Sequence, residues 1–298
     1  MSISSKEFNH YKPLLFSLGY RMLGSVTDAE DLVQETFLKC YQSEISPLNP
    51  KAYLCKVMTN LCLDLLKSSQ RQREQYIGEW NPVPLATDSL EPSELLIEKE
   101  SLSIAYLRMM EHLKPDERAV LLLREAFHFP YKEIAQMVNK EVPNCRKLYS
   151  RAKAKITTVE AENLSYKQNL DLIEQFISAF QSQQTTKLLQ LLSDEVILYT
   201  DGGGVVKSAL RPIKSPSHII AFFNGVSKKT VVEYAVSIST LNTQPALIIY
   251  INGDIYSVIQ FFIKHGEVTE IYMTSNPNKL NHLHSLLPFD KGIHKGDS

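Results

Sequence analysis

The sequence predicts two all-α units followed by one α+β unit. From Leu14 to Leu66 the apolar residues recur at helical spacing, with no alternating run of the kind that marks a strand. Helical spacing returns from Pro115 to Ile156. After about Glu160, amphipathic helices precede strand-like runs that Gly, Asn and Asp turns separate. Helices followed by a curved antiparallel sheet predict an α+β cone for the C-terminal part.

The composition is that of an ordinary globular protein. The 298 residues are 44% hydrophobic and carry a formal net charge of -1, so affinity for nucleic acid must come from a local basic patch. The sequence has no apolar run of bilayer length and no signal-peptide core, which predicts a cytoplasmic protein. Four cysteines without CxxC spacing are expected to be reduced core residues: Cys40, Cys55, Cys62 and Cys145.

Two N-terminal helices have surfaces with distinct chemistry. The first is expected to start at a capping box formed by Thr27 and Glu30 and to carry an acidic outer face. Such a face is usually solvated surface, so spacing alone leaves a partner-binding role open. The second, from Lys51 to Lys67, exposes aromatic, polar and basic residues. These suit a single nucleic-acid strand, although an ordinary soluble helix would look the same.

The segment from Tyr131 to Lys155 has the pattern of a helix-turn-helix. Two apolar helical faces are separated by a short break at Asn139 to Glu141, and Pro143 fits the first turn of the second helix. Basic amphipathic helices are common, but the short partner helix and tight break favour DNA binding. The outward face of the second helix carries Asn144, Arg146, Lys147, Ser150, Arg151, Lys153 and Lys155.

The C-terminal part carries one glycine-rich turn, from Asp201 to Gly204. No Gly-Lys-Ser/Thr follows, which excludes a phosphate-binding P-loop and leaves a mobile hairpin turn as an alternative. An enzyme with this cone needs a carboxylate or histidine in an apolar pocket, whereas Asp201 and Asp254 lie in turns and neither is expected to be enclosed. His282 and His284 alone are a weak pattern for a metal. We therefore predict no catalysis, no metal and no cofactor.

Three stretches together resemble the bacterial extracytoplasmic-function sigma factors of the sigma-70 family. They are YRMLGSVTDAEDLVQETFLKCY, NPKAYLCKVMTNLCLDLLK and LKPDERAVLLLREAFHFPYKEIAQMV, and they occur in the family's order. The resemblance implies region 2 at residues 1–70, a linker at 71–100 and region 4 at 101–160. A SnoaL-like domain at 165–285 and a tail at 286–298 would follow.

The resemblance also implies the residues that bind each partner. Five residues match the helix that docks on RNA polymerase core: Asp28, Glu30, Asp31, Gln34 and Glu35. Five fall where the family recognises and melts the minus-ten promoter element: Tyr53, Lys56, Asn60, Asp64 and Lys67. Six of the outward residues of the helix-turn-helix match the minus-thirty-five reader: Asn144, Arg146, Lys147, Ser150, Arg151 and Lys153.

The linker and the C-terminal part resemble one sigma subgroup with a fused SnoaL-like domain. Prolines 82, 84 and 92 exclude a continuous helix between the two helical modules. YIGEWNPVPL is similar to the subgroup's Y-x-G-x-W-L-P-E-P-L linker, from which Asn81 and Val83 depart. DGGG, the turn NTQPA that starts at Asn242, and NPNKL resemble three further subgroup motifs. The implied interdomain regulatory residues are Trp80, Asp201, Gly202, Gly203, Gly204, Asn276, Pro277 and Lys279.

These observations predict a sigma factor whose own C-terminal domain modulates its activity. The expected partners are RNA polymerase core and promoter DNA, with no membrane; an anti-sigma partner is compatible with this interpretation but not implied by it. Two other functions stay open. One is a helix-turn-helix regulator with a ligand-sensing domain, which would bind duplex DNA without polymerase. The other is a SnoaL-like enzyme with an appended nucleic-acid-binding domain.

Overall fold

The computed structural model describes residues 4–42, 47–73, 76–87, 102–156, 166–229 and 234–287. The chain forms two compact units, one of residues 1–75 and 90–160 and the other of residues 76–89 and 161–298. The described part of the linker, 76–87, thus belongs to the C-terminal unit. Linker residues 88–100, the predicted boundaries at 160 and 165, and the tail from 288 onward lie outside the described residues.

The first unit is all-α, as predicted. Its N-terminal half contains α1 (Ser5–Leu23), α2 (Val26–Gln42) and α3 (Pro50–Arg73). Its second half contains α4 (Ile104–Met110), α5 (Pro115–Glu125), α6 (Tyr131–Met137) and α7 (Val142–Ile156). Not one of the described helices is both long enough and apolar enough to span a bilayer.

Helix termini follow local side-chain chemistry, with one correction to the sequence analysis. Helix α2 begins before Thr27, because the hydroxyl of Ser25 accepts the backbone N–H of Asp28 at 3.3 Å and caps the helix. Helix α1 ends at Leu23, and the next residue, Gly24, has a φ of 66°, the left-handed conformation of a C-terminal cap. This short junction holds α1 and α2 in a tight helical hairpin.

The helices of both halves share one hydrophobic core. Buried residues of α1, α2 and α3 form a single cluster with buried residues of α5, α6 and α7. Arg118 of α5 is 3% exposed and donates to the carbonyl of Met22 at 2.6 Å and to Glu111 at 2.9 Å. Lys51 of α3 lies 5.2 Å from the centroid of the Phe129 ring. The two halves of this unit therefore pack directly against each other.

The second unit is α+β. Helices α8 (Tyr166–Gln181) and α9 (Thr185–Leu191) precede β1 (Leu192–Asp201), β2 (Ile213–Lys214) and α10 (Pro216–Lys229). Four strands follow: β3 (Tyr234–Leu241), β4 (Gln244–Ile251), β5 (Asp254–Lys264) and β6 (Glu267–Thr274). Helix α11 (Pro277–Leu280) and a 3-10 turn (Asn281–Leu283) follow the last strand.

The sheet is mixed, which corrects the prediction of an antiparallel sheet. Its strand order is β2-β1-β6-β5-β4-β3, and β1 pairs with β6 in parallel while the other pairs are antiparallel. One face packs on α8, α9 and α10 through a core that includes Phe176 and Phe223. The other face packs on linker residue Ala86 and on Leu280 and Leu283 beyond β6. The linker thus completes a second, smaller core.

Candidate nucleic-acid interface and linker site

Helix α7 presents the predicted DNA-reading residues to solvent. Its inward face buries Cys145 and Ala152 completely, and Pro143 lies in its first turn. The inward residues thereby fix which side of the helix points outward. The six predicted contact residues are all exposed: Asn144, Arg146, Lys147, Ser150, Arg151 and Lys153.

Two lysines of α7 also hold the helix on α5. Lys153 pairs with Glu125 at 3.2 Å, and Lys155 pairs with Glu117 at 2.6 Å. Burial alone would raise the pKa of Glu117, but the hydrogen bonds from Lys155 and from the Lys114 backbone hold it below its ordinary value. Lys153 therefore stabilises the packing of α7 on α5 in addition to its predicted contact with DNA. Arg146 lies over the Tyr131 ring, 5.6 Å from its centroid, and is exposed.

The predicted minus-ten residues follow one face of α3. Spacings of three and four residues place their side chains on one side of the helix. Lys56, Asp64 and Lys67 are exposed, while Tyr53 and Asn60 are half-buried. This row offers hydrogen-bonding groups, an aromatic ring and positive charge along one line, which is the combination that holds a single strand.

The predicted polymerase-binding residues lie on the outer face of α2. Asp28, Glu30, Asp31 and Gln34 are exposed, and Glu35 is half-buried and pairs with Lys39 at 3.0 Å. The acidic face continues into two large apolar side chains that the sequence analysis missed. They are Leu38, which is 55% exposed, and Tyr41, which is 62% exposed. Their helical spacing from Asp31 and Gln34 was the available signal.

A second site, here named the linker clasp, joins the linker to the C-terminal unit through Tyr76, Trp80, Asn81, Asp201, Asn276 and Lys279. Its centre is the carboxylate of Asp201. One oxygen accepts from the Tyr76 hydroxyl at 2.6 Å and from the Gly203 N–H at 3.1 Å. The other accepts from the Asn81 N–H at 2.9 Å and from the Lys279 ammonium at 2.7 Å.

Lys279 connects three parts of the clasp. Besides its ion pair with Asp201, its ammonium donates to the carbonyl of Asn81 and lies 4.0 Å from the centroid of the Trp80 ring. Ammonium groups over an indole face are favoured electrostatically. The Trp80 ring therefore covers a buried cation.

The glycines allow the close approach that the clasp requires. Gly203 has a φ of 62°, and a Cβ there would come within 2.1 Å of the Asn276 amide nitrogen. Gly202 is equally restricted, because a Cβ would meet the Val206 carbonyl at 2.1 Å. Asn276 donates to the Tyr76 hydroxyl at 2.9 Å and caps α11, in which Pro277 is the first residue. Gly204 is also a predicted member and lies next to the linker; a Cβ there would come 3.0 Å from Ile77.

The linker continues past the clasp along the sheet. Asn242 is fully buried in the turn before β4, where its side chain accepts the Leu85 N–H at 3.2 Å and its own N–H bonds the Leu85 carbonyl at 2.8 Å. Ala86 forms a β-bridge with Leu241, and His282 bonds the Pro84 carbonyl at 2.8 Å. The linker is thus attached by main-chain bonds over several residues.

Two features of the clasp differ from the sequence analysis. Asp201 was expected to be unenclosed but is 1% exposed, because the linker covers the turn. Asn81 departs from the subgroup pattern, yet its side chain is fully buried and donates to the Met273 carbonyl at 3.2 Å. Burial and the hydrogen bond to Asp201 raise the pKa of Tyr76 above its ordinary value, so the hydroxyl keeps its proton. The sequence analysis placed Tyr76 and Asn242 in subgroup motifs but assigned no contact to them or to Asn81.

Comparisons with known proteins agree with this geometry. Residues 8–72 match the model of sigma-70 region 2, and residues 103–156 match that of sigma-70 region 4. The extracytoplasmic-function sigma factor SigJ of Mycobacterium tuberculosis is 28% identical over 227 residues, covering 75% of this chain and 73% of SigJ. The chain carries both sigma-70 regions of an extracytoplasmic-function sigma factor. Probable sigma factor SigI of the same organism is 28% identical over 289 residues, covering 95% of this sigma factor and 97% of SigI.

A solved structure extends the likeness to the fold of the whole sigma factor. The crystal structure of Mycobacterium tuberculosis SigJ superposes with a TM-score of 0.74 at 24% identity, covering 93% of this chain and 98% of that one. The sigma factor binds RNA polymerase core and promoter DNA and directs transcription initiation, and its fold combines helical regions 2 and 4 with a SnoaL-like cone.

Proposed function

We propose that the linker clasp regulates this sigma factor by holding the segment between regions 2 and 4. The proposal rests on the buried Asp201 carboxylate. It accepts hydrogen bonds from two linker groups, the Tyr76 hydroxyl and the Asn81 N–H, and pairs with Lys279. In this proposal α2 docks on core polymerase, α3 handles the minus-ten element and α7 reads the minus-thirty-five element in the cytoplasm. The sigma factor itself catalyses no reaction.

Regions 2 and 4 pack together in the first unit, and this arrangement does not suit promoter binding. By their names, the two promoter elements lie about 25 base pairs apart, or about 85 Å at about 3.4 Å per base pair. Helix α3, with 24 residues, is only about 36 Å long. Regions 2 and 4 within one shared core cannot reach both elements together. Promoter binding therefore requires the two regions to separate.

The linker controls how readily they separate. Twelve residues, 76–87, are docked on the C-terminal unit, and the chain bends at Ile77 and Gly78. Docked residues cannot contribute their full length of about 3.3–3.6 Å per residue to the reach between the regions. Docking thus favours the packed arrangement and release favours the open one, since a state is populated according to the contacts it makes.

The proposal is tested by promoter-dependent transcription with purified core polymerase. Substituting Asp201 should raise transcript yield at limiting sigma factor, while unchanged yield and unchanged core affinity would contradict regulation by the clasp. Substituting Arg146 or Lys147 should weaken promoter use and leave core binding intact; loss of core binding would contradict the assignment of α7. A mobility shift without core polymerase separates this function from that of an independent helix-turn-helix regulator.

A further inference from the structure

A cavity lies inside the cone, on the face of the sheet opposite the linker. It measures about 110 Å³, lies between α8, α10 and strands β3 to β6, and is partly open to solvent. That volume is roughly ten times the roughly 10–15 Å³ that a single buried water needs. Three phenylalanines form its helical wall, and Leu247, Ile259 and Met273 form its floor. The cavity has room for a small organic molecule.

The chemistry of the lining selects an uncharged ligand. The buried lining residues in the described part of the cone are apolar; of the polar ones, Gln181, Ser227 and Tyr256 are exposed at the rim and Tyr234 is half-buried. No carboxylate, histidine or lysine of the described residues lines the cavity. A charged molecule would lose its hydration there without gaining a partner, at a cost of several kcal/mol. Apolar cavities, by contrast, accept hydrocarbon guests.

Two strands connect this cavity to the linker. Met273 of β6 lines the cavity, while its carbonyl accepts the Asn81 side chain at 3.2 Å on the linker side. Ile259 of β5 also lines it, and the next residue, Gln260, donates to Asn242 at 3.0 Å, the side chain that accepts from the linker backbone. Successive strand residues face opposite sides of a sheet. The same two strands therefore touch both the cavity and the docked linker.

We propose that the cone binds an uncharged, apolar small molecule in this cavity and that occupancy strengthens linker docking. Filling the cavity adds packing contacts to Met273 and Ile259 and so restrains the strands that hold Asn81 and Asn242. Binding at one site can alter the other only through such a difference between states, and the coupling is reciprocal. The binding step does not depend on the clasp's effect on transcription.

The test uses toluene as the probe and the full-length protein. With methyl-labelled Met and Ile, toluene should give saturable shifts at Met273 and Ile259 with a Kd of about 0.1–1 mM. Benzoate, which has a similar ring and a charge, should give none. Hydrogen exchange of the Asn81 amide should slow about fivefold or more at saturation. Absence of saturable shifts, or equal binding of benzoate, overturns the ligand class; binding without a change in exchange overturns the coupling.

A matched pair of variants locates the probe. Ile249→Trp places a large side chain into the cavity from β4 and should abolish toluene binding. Ile213→Trp makes the same change at a half-buried position of β2 that lines neither this cavity nor the adjoining cleft, and it should leave binding intact. Equal binding in both variants overturns the assignment to this cavity. If the first variant does not fold, the comparison of toluene with benzoate on the unaltered protein still decides the proposal.

Discussion

Replacing Asp201 by alanine removes the acceptor at the centre of the linker clasp. The linker then loses the bonds from the Tyr76 hydroxyl and the Asn81 N–H to a charged group. Hydrogen bonds to charged groups contribute about 1.5–3 kcal/mol each. Because Tyr76 is only half-buried and water can replace its partner, the lower end applies. We expect docking to weaken by about 3 kcal/mol, which is about 100-fold.

Hydrogen exchange measures this loss directly. The N–H groups of Asn81, Leu85 and Thr87 are all bonded in the docked linker, so their protection should fall by about 100-fold as docking weakens. The matched control is Asp194→Ala, which removes an exposed carboxylate from the same strand and should change nothing. Unaltered protection in Asp201→Ala would refute the argument, because it would mean that the carboxylate does not hold the linker.

Three further predictions concern other parts of the molecule. Arg146→Ala should weaken promoter binding by about 1–3 kcal/mol and flatten its salt dependence, with core binding unchanged. Glu117→Gln should lower the free energy of unfolding by about 1 kcal/mol at pH 7. The loss is small because Lys155, the α7 lysine that pairs with Glu117, is partly exposed. Because the pKa of Glu117 is lowered on folding, that difference should be present above the carboxyl's ordinary pKa of 4.5 and vanish as the pH falls through the lowered folded pKa. Gly203→Ala should destabilise the C-terminal unit by about 2 kcal/mol, through its φ of 62° and its clash with Asn276, whereas Gly225→Ala, in open helical space, should not.

Paired measurements check these three. Promoter and core affinities of the α7 variant are measured separately, and parallel losses in both would point to misfolding. Denaturant unfolding of the Glu117 variant is followed across pH, and a constant difference would exclude the ion pair as its cause. Thermal unfolding compares the two glycine variants, and equal stability would show that the turn at Gly203 tolerates a side chain.

Local patterns predicted the helical part of the fold well. The helix-turn-helix was confirmed because its apolar faces at Ala135 and Cys145 follow from helical periodicity within one short segment. The N-cap of α2 was predicted two residues too late. Ser25 and Thr27 can both cap a helix, and spacing in the sequence does not distinguish between them.

Non-local features were harder to predict. Strand patterns do not encode the direction of pairing, so the parallel β1–β6 contact was missed. Asp201 looked exposed because it precedes three glycines, yet a linker segment more than 100 residues earlier in the chain buries it. Asn81 looked like a mere departure from the subgroup pattern because its partner, Met273, is distant in sequence. Only the resemblance pointed to the clasp, and it named part of it.

The most direct test of the account is promoter-dependent transcription by purified core polymerase with limiting sigma factor. Full-length Asp201→Ala and Asp194→Ala proteins are compared with the unaltered chain at equal occupancy of core. The account predicts a several-fold higher yield with Asp201→Ala alone, because a released linker lets regions 2 and 4 separate. An equal or lower yield, with core binding unchanged, would contradict the claim that the clasp restrains this sigma factor.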